Sequence, residues 1–262
     1  MLLAMLEPVD RPADAPAWHL YLTDIPRAGL EYGQLLSVLP LQRALPTGDG
    51  HPVLVLPGLL AGDGSTWILR RILSNLGYQA YGWGIGRNIG PTPEAVAGMT
   101  ELLAELNARY DAPVSVIGWS LGGIFARNLA RSYPSLVRQV ITLGSPFALV
   151  DPRQSRADRA FRKRDHLHAA SHRVPSRERV RQPIPVPSTA VYSRLDGIVS
   201  WRACVEPTSV RHQNVAVRCS HLGFGVDPAT LWLTADRLAQ PEPGRRPFQP
   251  PLWLRALYPM PR

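Results

Sequence analysis

The stretch Val114-Ser115-Val116-Ile117-Gly118-Trp119-Ser120-Leu121-Gly122 decides how the rest of the chain is read. Its first four residues form the short apolar run that a strand buried on both faces requires. Leu121 to Arg131 then reads as a helix. A chain passing from strand straight into helix forces the corner residue into strained backbone geometry. The flanking positions must lack bulk where strand and helix close on each other, and Gly118 and Gly122 meet that need. Ser120 is thereby thrust above the carboxyl edge of a sheet, where open α/β sheets bind ligands. Its hydroxyl also lies at a helix N-terminus, whose dipole favours developing negative charge. A serine cap beside packing glycines is the plainer alternative, and the strand–helix junction argues against it.

Outward from this corner the punctuation is regular. Val53 to Leu56, Tyr78 to Trp83, Val137 to Leu143, Thr189 to Tyr192 and Val215 to Val217 are further short apolar runs. Between them, Ser65 and Thr66 are expected to cap a helix ending near Leu76, closed by Gly77. Thr92, followed by Pro93, caps a longer helix with Val96, Met99, Leu102, Leu103 and Leu106 on one face. A last helix runs from Asp227 to about Leu238. Six strands alternating with amphipathic helices predict an α/β fold: a mostly parallel sheet with helices on both faces and right-handed crossovers. The pattern breaks for about forty residues after the fourth strand, so residues 148–187 read as an insertion. Residues 1–50 form a Pro-rich extension in which Leu30, Leu35, Leu36, Val38, Leu39 and Leu41 suggest one helix packing on a later core or a partner. Residues 51–240 form the main domain, and 241–262 a Pro-rich tail that Phe248, Trp253, Leu254, Leu257 and Tyr258 can strap down.

Composition bounds the function classes. The 262 residues carry 27 prolines, an apolar fraction of 45% and a formal charge of +9. That is globular, not disordered. No stretch reaches the ~18 apolar residues of a membrane span. Met1 to Leu6 makes a poor signal peptide, so a soluble intracellular chain, at most peripheral at a membrane, is expected. Of the basic residues, only Lys163 is not arginine. Between Asp151 and Arg181 nine Arg, one Lys and four acids give a net +6. This segment reads first as a solvated surface loop, with weak contact to anionic lipid as the functional alternative. It lacks interleaved aromatics, so no nucleic-acid partner is expected. His166, His168 and His172 lie among arginines and read as exposed structural histidines, and no metal is implied. The glycines from Gly82 to Gly86 fail the dinucleotide spacing, and there is no phosphate loop. Cys204 and Cys219 are too few for a disulfide framework, though one bridge between them stays open.

A serine hydroxyl is a weak nucleophile without a base, so a histidine and a carboxylate are needed further along. His221 follows the last strand directly and shares the carboxyl edge with Ser120. Asp196 follows the preceding strand on the same edge; Asp151 is the runner-up acid, while Asp227 reads as a helix cap. An oxyanion hole would use the backbone N–H of Leu121 and one from the loop Pro57 to Gly62, assigned to Leu59 with Leu60 as the alternative. Trp67, Trp83 and Trp119 lie near this rim and could line an apolar acyl pocket, with core packing the expected role of at least one.

Residues 51–240 resemble the serine-nucleophile branch of the α/β-hydrolase superfamily, within it bacterial lipases and esterases. The motifs are Val55-Leu56-Pro57-Gly58-Leu59, Gly118 to Gly122, Thr142 to Pro146, Asp196 to Val199 and Ser220 to Gly223. Where many lipases carry His-Gly before the oxyanion donor, this chain has Pro57-Gly58. The resemblance implies Ser120 as nucleophile, His221 as base, Asp196 as its partner, and residues 148–187 as the lid. It implies a carboxylic-ester hydrolase acting on a small acyl ester or lipid, with no cofactor. An acyltransferase or thioesterase, or a non-catalytic binding module on the same fold, remain the alternatives; chain length of the acyl group and oligomeric state are left open.

Overall fold

In the computed structural model, which describes residues 15–169, 182–241 and 244–259, the six apolar runs form one sheet. Its strands are β1 Pro52–Leu56, β2 Gln79–Gly82, β3 Val114–Trp119, β4 Val137–Leu143, β5 Ser188–Ser193 and β6 His212–Val217. Every pairing is parallel, in the order β2-β1-β3-β4-β5-β6. All carboxyl ends therefore fall on one edge. The inner strands β1, β3 and β5 are buried along their whole length, whereas β2 at one end of the sheet is partly open. That is why the inner strands read as continuous apolar runs rather than alternating ones.

Side chains on successive strand residues point to opposite faces. Val53, Val55, Ile117, Ile141 and Val191 meet helices α3 (Trp67–Asn75) and α7 (Pro228–Leu238) through Leu69, Leu73, Leu231 and Leu233. Leu54, Leu56, Val116 and Val140 meet α4 (Pro93–Tyr110) and α5 (Leu121–Ser132) through Met99, Leu103, Phe125 and Ala126. Three more helices complete the elements used below: α1 (Trp18–Leu22), α2 (Asp24–Val38) and α6 (Asp158–Arg162). Among the described residues no helix is long and apolar enough to cross a membrane.

The helix ends follow local chemistry, with one correction. Thr92 Oγ1 accepts the Ala95 N–H at 3.2 Å, and Asp227 Oδ2 accepts the Thr230 N–H at 2.7 Å. Ser65 and Thr66 do not cap α3. They already sit in a 3₁₀ turn, Asp63–Thr66, so their hydroxyls donate back to the carbonyls of Gly62 and Asp63. The tail is tied to α7: Tyr258 is buried and donates to Ala229 O at 2.7 Å, Phe248 and Trp253 stack edge-on against Tyr258 and Trp232, and Leu254 packs on the core. Leu257 stays exposed. Cys204 and Cys219 are buried free thiols, so no bridge joins them.

The N-terminal helix departs further from expectation. It begins earlier, at Asp24, and gives way to a 3₁₀ segment, Leu39–Ala44. Of its apolar positions Leu35 is buried, Val38 and Leu39 are partly so, and Leu30 and Leu36 face solvent; the Leu41 side chain lies outside the described residues. The other buried positions are two acids, Asp24 and Glu31.

One buried ion pair braces the sheet's far half. Arg127 Nη1 of α5 donates to Glu206 Oε2 at 2.9 Å, both side chains almost fully enclosed, and Ser188 of β5 also donates to Glu206. Removing one partner of such a pair leaves a charge with no water around it. Glu206→Ala is therefore expected to cost about 3–5 kcal/mol in urea unfolding. A loss below ~1 kcal/mol, the range of exposed pairs, would contradict this role.

Candidate active site

Ser120 sits at the corner between β3 and α5 with φ 53° and ψ −118°, left-handed geometry that a serine adopts only under constraint. Two close approaches impose it. A Cβ on Gly118 would lie 2.3 Å from Gly122 O, and one on Gly122 would lie 2.3 Å from Leu56 O. The backbone is locked by Ser120 N–H donating to Leu143 O at 2.8 Å.

His221 and Asp196 meet on the same edge. The imidazole Nδ1 and Asp196 Oδ2 are 2.6 Å apart, with both side chains almost fully buried. Asp196 Oδ1 accepts the N–H groups of Ile198 and Val199 at 2.8 and 2.7 Å, which fixes the carboxylate facing the ring. Burial alone would lower the histidine's pKa. The charge and hydrogen bond of Asp196, with a further contribution from Asp24, outweigh it and raise the pKa above the ordinary value. The His221 loop is also pinned to the serine's strand, because Trp119 Nε1 donates to His221 O at 3.1 Å. Ser193 Oγ donates to Cys219 O at 2.6 Å and ties the end of β5 to the end of β6. No hydrogen bond joins Ser120 Oγ to the imidazole. Such bonds are often long in an unliganded site and tighten when substrate arrives.

The loop after β1 approaches closely: a Cβ on Gly58 would stand 3.3 Å from Ser120 Cβ. The Leu60 N–H is already used, donating to Asn88 O at 2.6 Å, so the alternative oxyanion donor is removed. The N–H groups of Leu59 and Leu121 have no partner among the described residues. Asn88, fully buried, holds this loop from both sides. Its Nδ2 donates to Pro57 O at 2.8 Å and its N–H to Ala61 O at 2.7 Å. The sequence reading passed over Asn88, whose only signal was its place just after a glycine-rich loop.

A cavity of about 340 Å³ opens beside the serine, lined by Leu59, Ser120, Leu121, Phe125, Phe147 and Phe161 among others. The segment after β4 forms its outer wall through α6 and neighbouring residues. Asp151 lines this cavity but caps a short turn and pairs with Arg153, which lowers its pKa to about 2. It does not contact His221. None of the three tryptophans lines the cavity. Trp119 points with Ile117 to the opposite face of the sheet, Trp83 is sealed in the core with Nε1 on Gly86 O, and Trp67 stands mostly in solvent. His168 is not the exposed residue expected. Its ring packs on Phe161 and Nε2 lies 3.1 Å from Ile89 O, while His166 is exposed and His172 lies outside the described residues.

No protein-family model matches the chain, and no curated protein matches it. Solved structures do. The chain is similar to lipase B of Aspergillus fumigatus, with a TM-score of 0.55 and 16% identity over 75% of this chain and 54% of that one. It thus spans about half the length of that lipase. The lipolytic enzymes LipS and LipT, derived from a metagenome, give a TM-score of 0.52 and 13% identity over 74% of this chain and 93% of theirs. A lipase of Bacillus licheniformis in its mature form gives 0.50 and 15% identity, covering 74% and 94%. The chain has the α/β-hydrolase fold, as expected from its alternating strands and helices.

The turn around Ser120 makes a direct prediction. Gly122→Ala puts a methyl group into backbone, which cannot yield as a flexible side chain can. Overpacking of this kind costs about 1–3 kcal/mol, to be read by thermal unfolding. An unchanged melting temperature would mean that strand and helix are not pressed together here.

Proposed function

We propose that the protein is a carboxylic-ester hydrolase working through an acyl-enzyme on Ser120. The observation that carries this reading is the buried 2.6 Å contact between His221 and Asp196 on the sheet edge that also holds a serine at positive φ. Ser120 Oγ attacks the ester carbonyl carbon while His221 Nε2 takes its proton. Asp196 holds the proton on Nδ1, leaving Nε2 as the acceptor, and its charge offsets that of the imidazolium. The tetrahedral oxyanion forms against the free N–H groups of Leu59 and Leu121. The C–O bond breaks, the imidazolium protonates the departing alcohol, and water activated by the same histidine releases the acid. The apolar cavity beside Leu121 and Phe125 would take the acyl chain, with the expected lid segment walling it through residues between Leu149 and Arg162. Residues 170–181 of that segment lie outside the described residues.

A fluorophosphonate probe tests the nucleophile. Wild type should label, whereas Ser120→Ala should not; equal labelling would overturn the assignment. Aryl esters of rising chain length then bound the acyl pocket. The base must be neutral to accept a proton, so kcat/KM should rise with pH through a single ionisation above the ordinary histidine value of about 6.5. An ionisation below that value would contradict the charge arrangement around His221. Asn88→Ala frees the oxyanion loop and should lower kcat about tenfold or more with little change in KM. An unaltered kcat would remove Asn88 from the account.

A further inference from the structure

Helix α2 is built the wrong way round for a surface helix. Leu22, just before it, and Ile25 and Leu30 within it stand about 70% exposed, while Asp24 and Glu31 are buried at 2% and 7%. Hydrophobic burial, through Leu35 and Val38, seats only its C-terminal end. What its first two turns bury is hydrogen bonding to two catalytic loops far along the chain. Asp24 Oδ1 accepts the N–H of Gly197 at 3.1 Å, next to the acid, and the N–H of His221 itself at 3.0 Å. Its Oδ2 accepts the Leu222 N–H at 3.0 Å. Two turns further on, Glu31 Oε1 accepts the Ser220 N–H at 2.7 Å and Oε2 accepts the Ser220 hydroxyl at 2.6 Å.

The approach is so close that side chains are excluded. A Cβ on Gly197 would lie 2.3 Å from Leu20 O, and one on Gly223 would run into the Glu31 carboxylate. A buried carboxylate is costly unless its lone pairs are used, and here they are used on loop N–H groups that have no strand partner. The same segment also reaches the wall of the cavity. Arg156 donates to Pro16 O and lies over the Trp18 ring at 3.8 Å, and its own N–H donates to Ile198 O at 2.9 Å.

We propose that Asp24 and Glu31 are positioning residues, which clamp the acid and base loops together and so make the N-terminal strap part of the catalytic machinery. The proposal rests on the reading of Ser120 and His221 as nucleophile and base. Asp24 acts in two ways: it fixes the backbone of residues 197, 221 and 222, and its charge favours the imidazolium that forms as Ser120 attacks. The charged groups acting on His221 are Asp196 from the loop after β5 and Asp24 from α2; Asp24 pairs with Arg27, and Glu31 on the same helix meets Asp227 and Arg27 in turn.

The test uses the full chain and three variants: Ser120→Ala, Asp24→Asn and Glu31→Gln. In Asp24→Asn the amide keeps the shape but turns a donor toward the Leu222 N–H and removes the charge. The fluorophosphonate labelling rate should fall about tenfold or more. The base ionisation in its pH profile should move down from the wild-type value, which a merely structural role would not do. Glu31→Gln should slow labelling in the same direction, and it decides the matter by rate alone if Asp24→Asn fails to fold. Rates within twofold of wild type, or a slower Asp24→Asn with an unmoved ionisation, overturn the proposal while leaving the serine assignment intact. If Ser120→Ala labels like wild type, the underlying reading has failed instead.

Discussion

Everything in this molecule that can do chemistry depends on one constraint, the parallel alignment of every strand in the sheet. It places the ends of β3, β5 and β6 on a single edge, so Ser120, Asp196 and His221 share that edge although they are up to about a hundred residues apart. The local order added to that is small. The serine is held by a corner too tight for any side chain at Gly118 or Gly122, and the histidine by a carboxylate whose second oxygen is occupied by backbone. The loop after β1, braced by Asn88, packs against the Ser120 corner and carries the unpaired Leu59 N–H, while the unpaired Leu121 N–H stands at the start of α5.

The electrostatics of that edge are unusually acidic for so basic a chain. Asp196, Asp24 and Glu31 are all buried close to the His221 loop, whereas the arginines of residues 151–169 are exposed or half-buried. Burial raises the pKa of Glu31, and the Ser220 hydrogen bonds pull against it. The carboxylates are tolerated because backbone N–H groups face them at 2.7 to 3.1 Å. Loops that would otherwise leave donors unpaired are thereby fixed, and acids that would otherwise be costly are satisfied.

The strands were legible because inner strands of a parallel sheet must be apolar on both faces, and the serine corner because its glycines are dictated by backbone contact. His221 and Asp196 were legible from their place after strands, since position along a parallel sheet fixes the edge. Asp24 and Glu31 were not. Counting apolar periods assigns acids to solvent, so the helix was read from its leucines, and two of those are exposed. Nothing near Asp24 in sequence betrays that its acceptor atoms serve N–H groups more than 170 residues away. The tryptophans misled for a related reason. Nearness to the rim does not say which face a side chain takes, and Trp119 follows the strand alternation away from the cavity. Asn88 was missed because it acts on backbone, which leaves no pattern of residue types to find.

The most direct measurement is a crystal structure of the protein inactivated by a phosphonate ester, whose phosphorus imitates the tetrahedral carbon. The account predicts phosphorus bonded to Ser120 Oγ and its oxygen about 2.7–3.1 Å from the N–H groups of Leu59 and Leu121, with the His221 imidazole turned toward the adduct. Phosphorus on another residue, or on Ser120 with its oxygen aimed away from both amides and the imidazole out of reach, would contradict it.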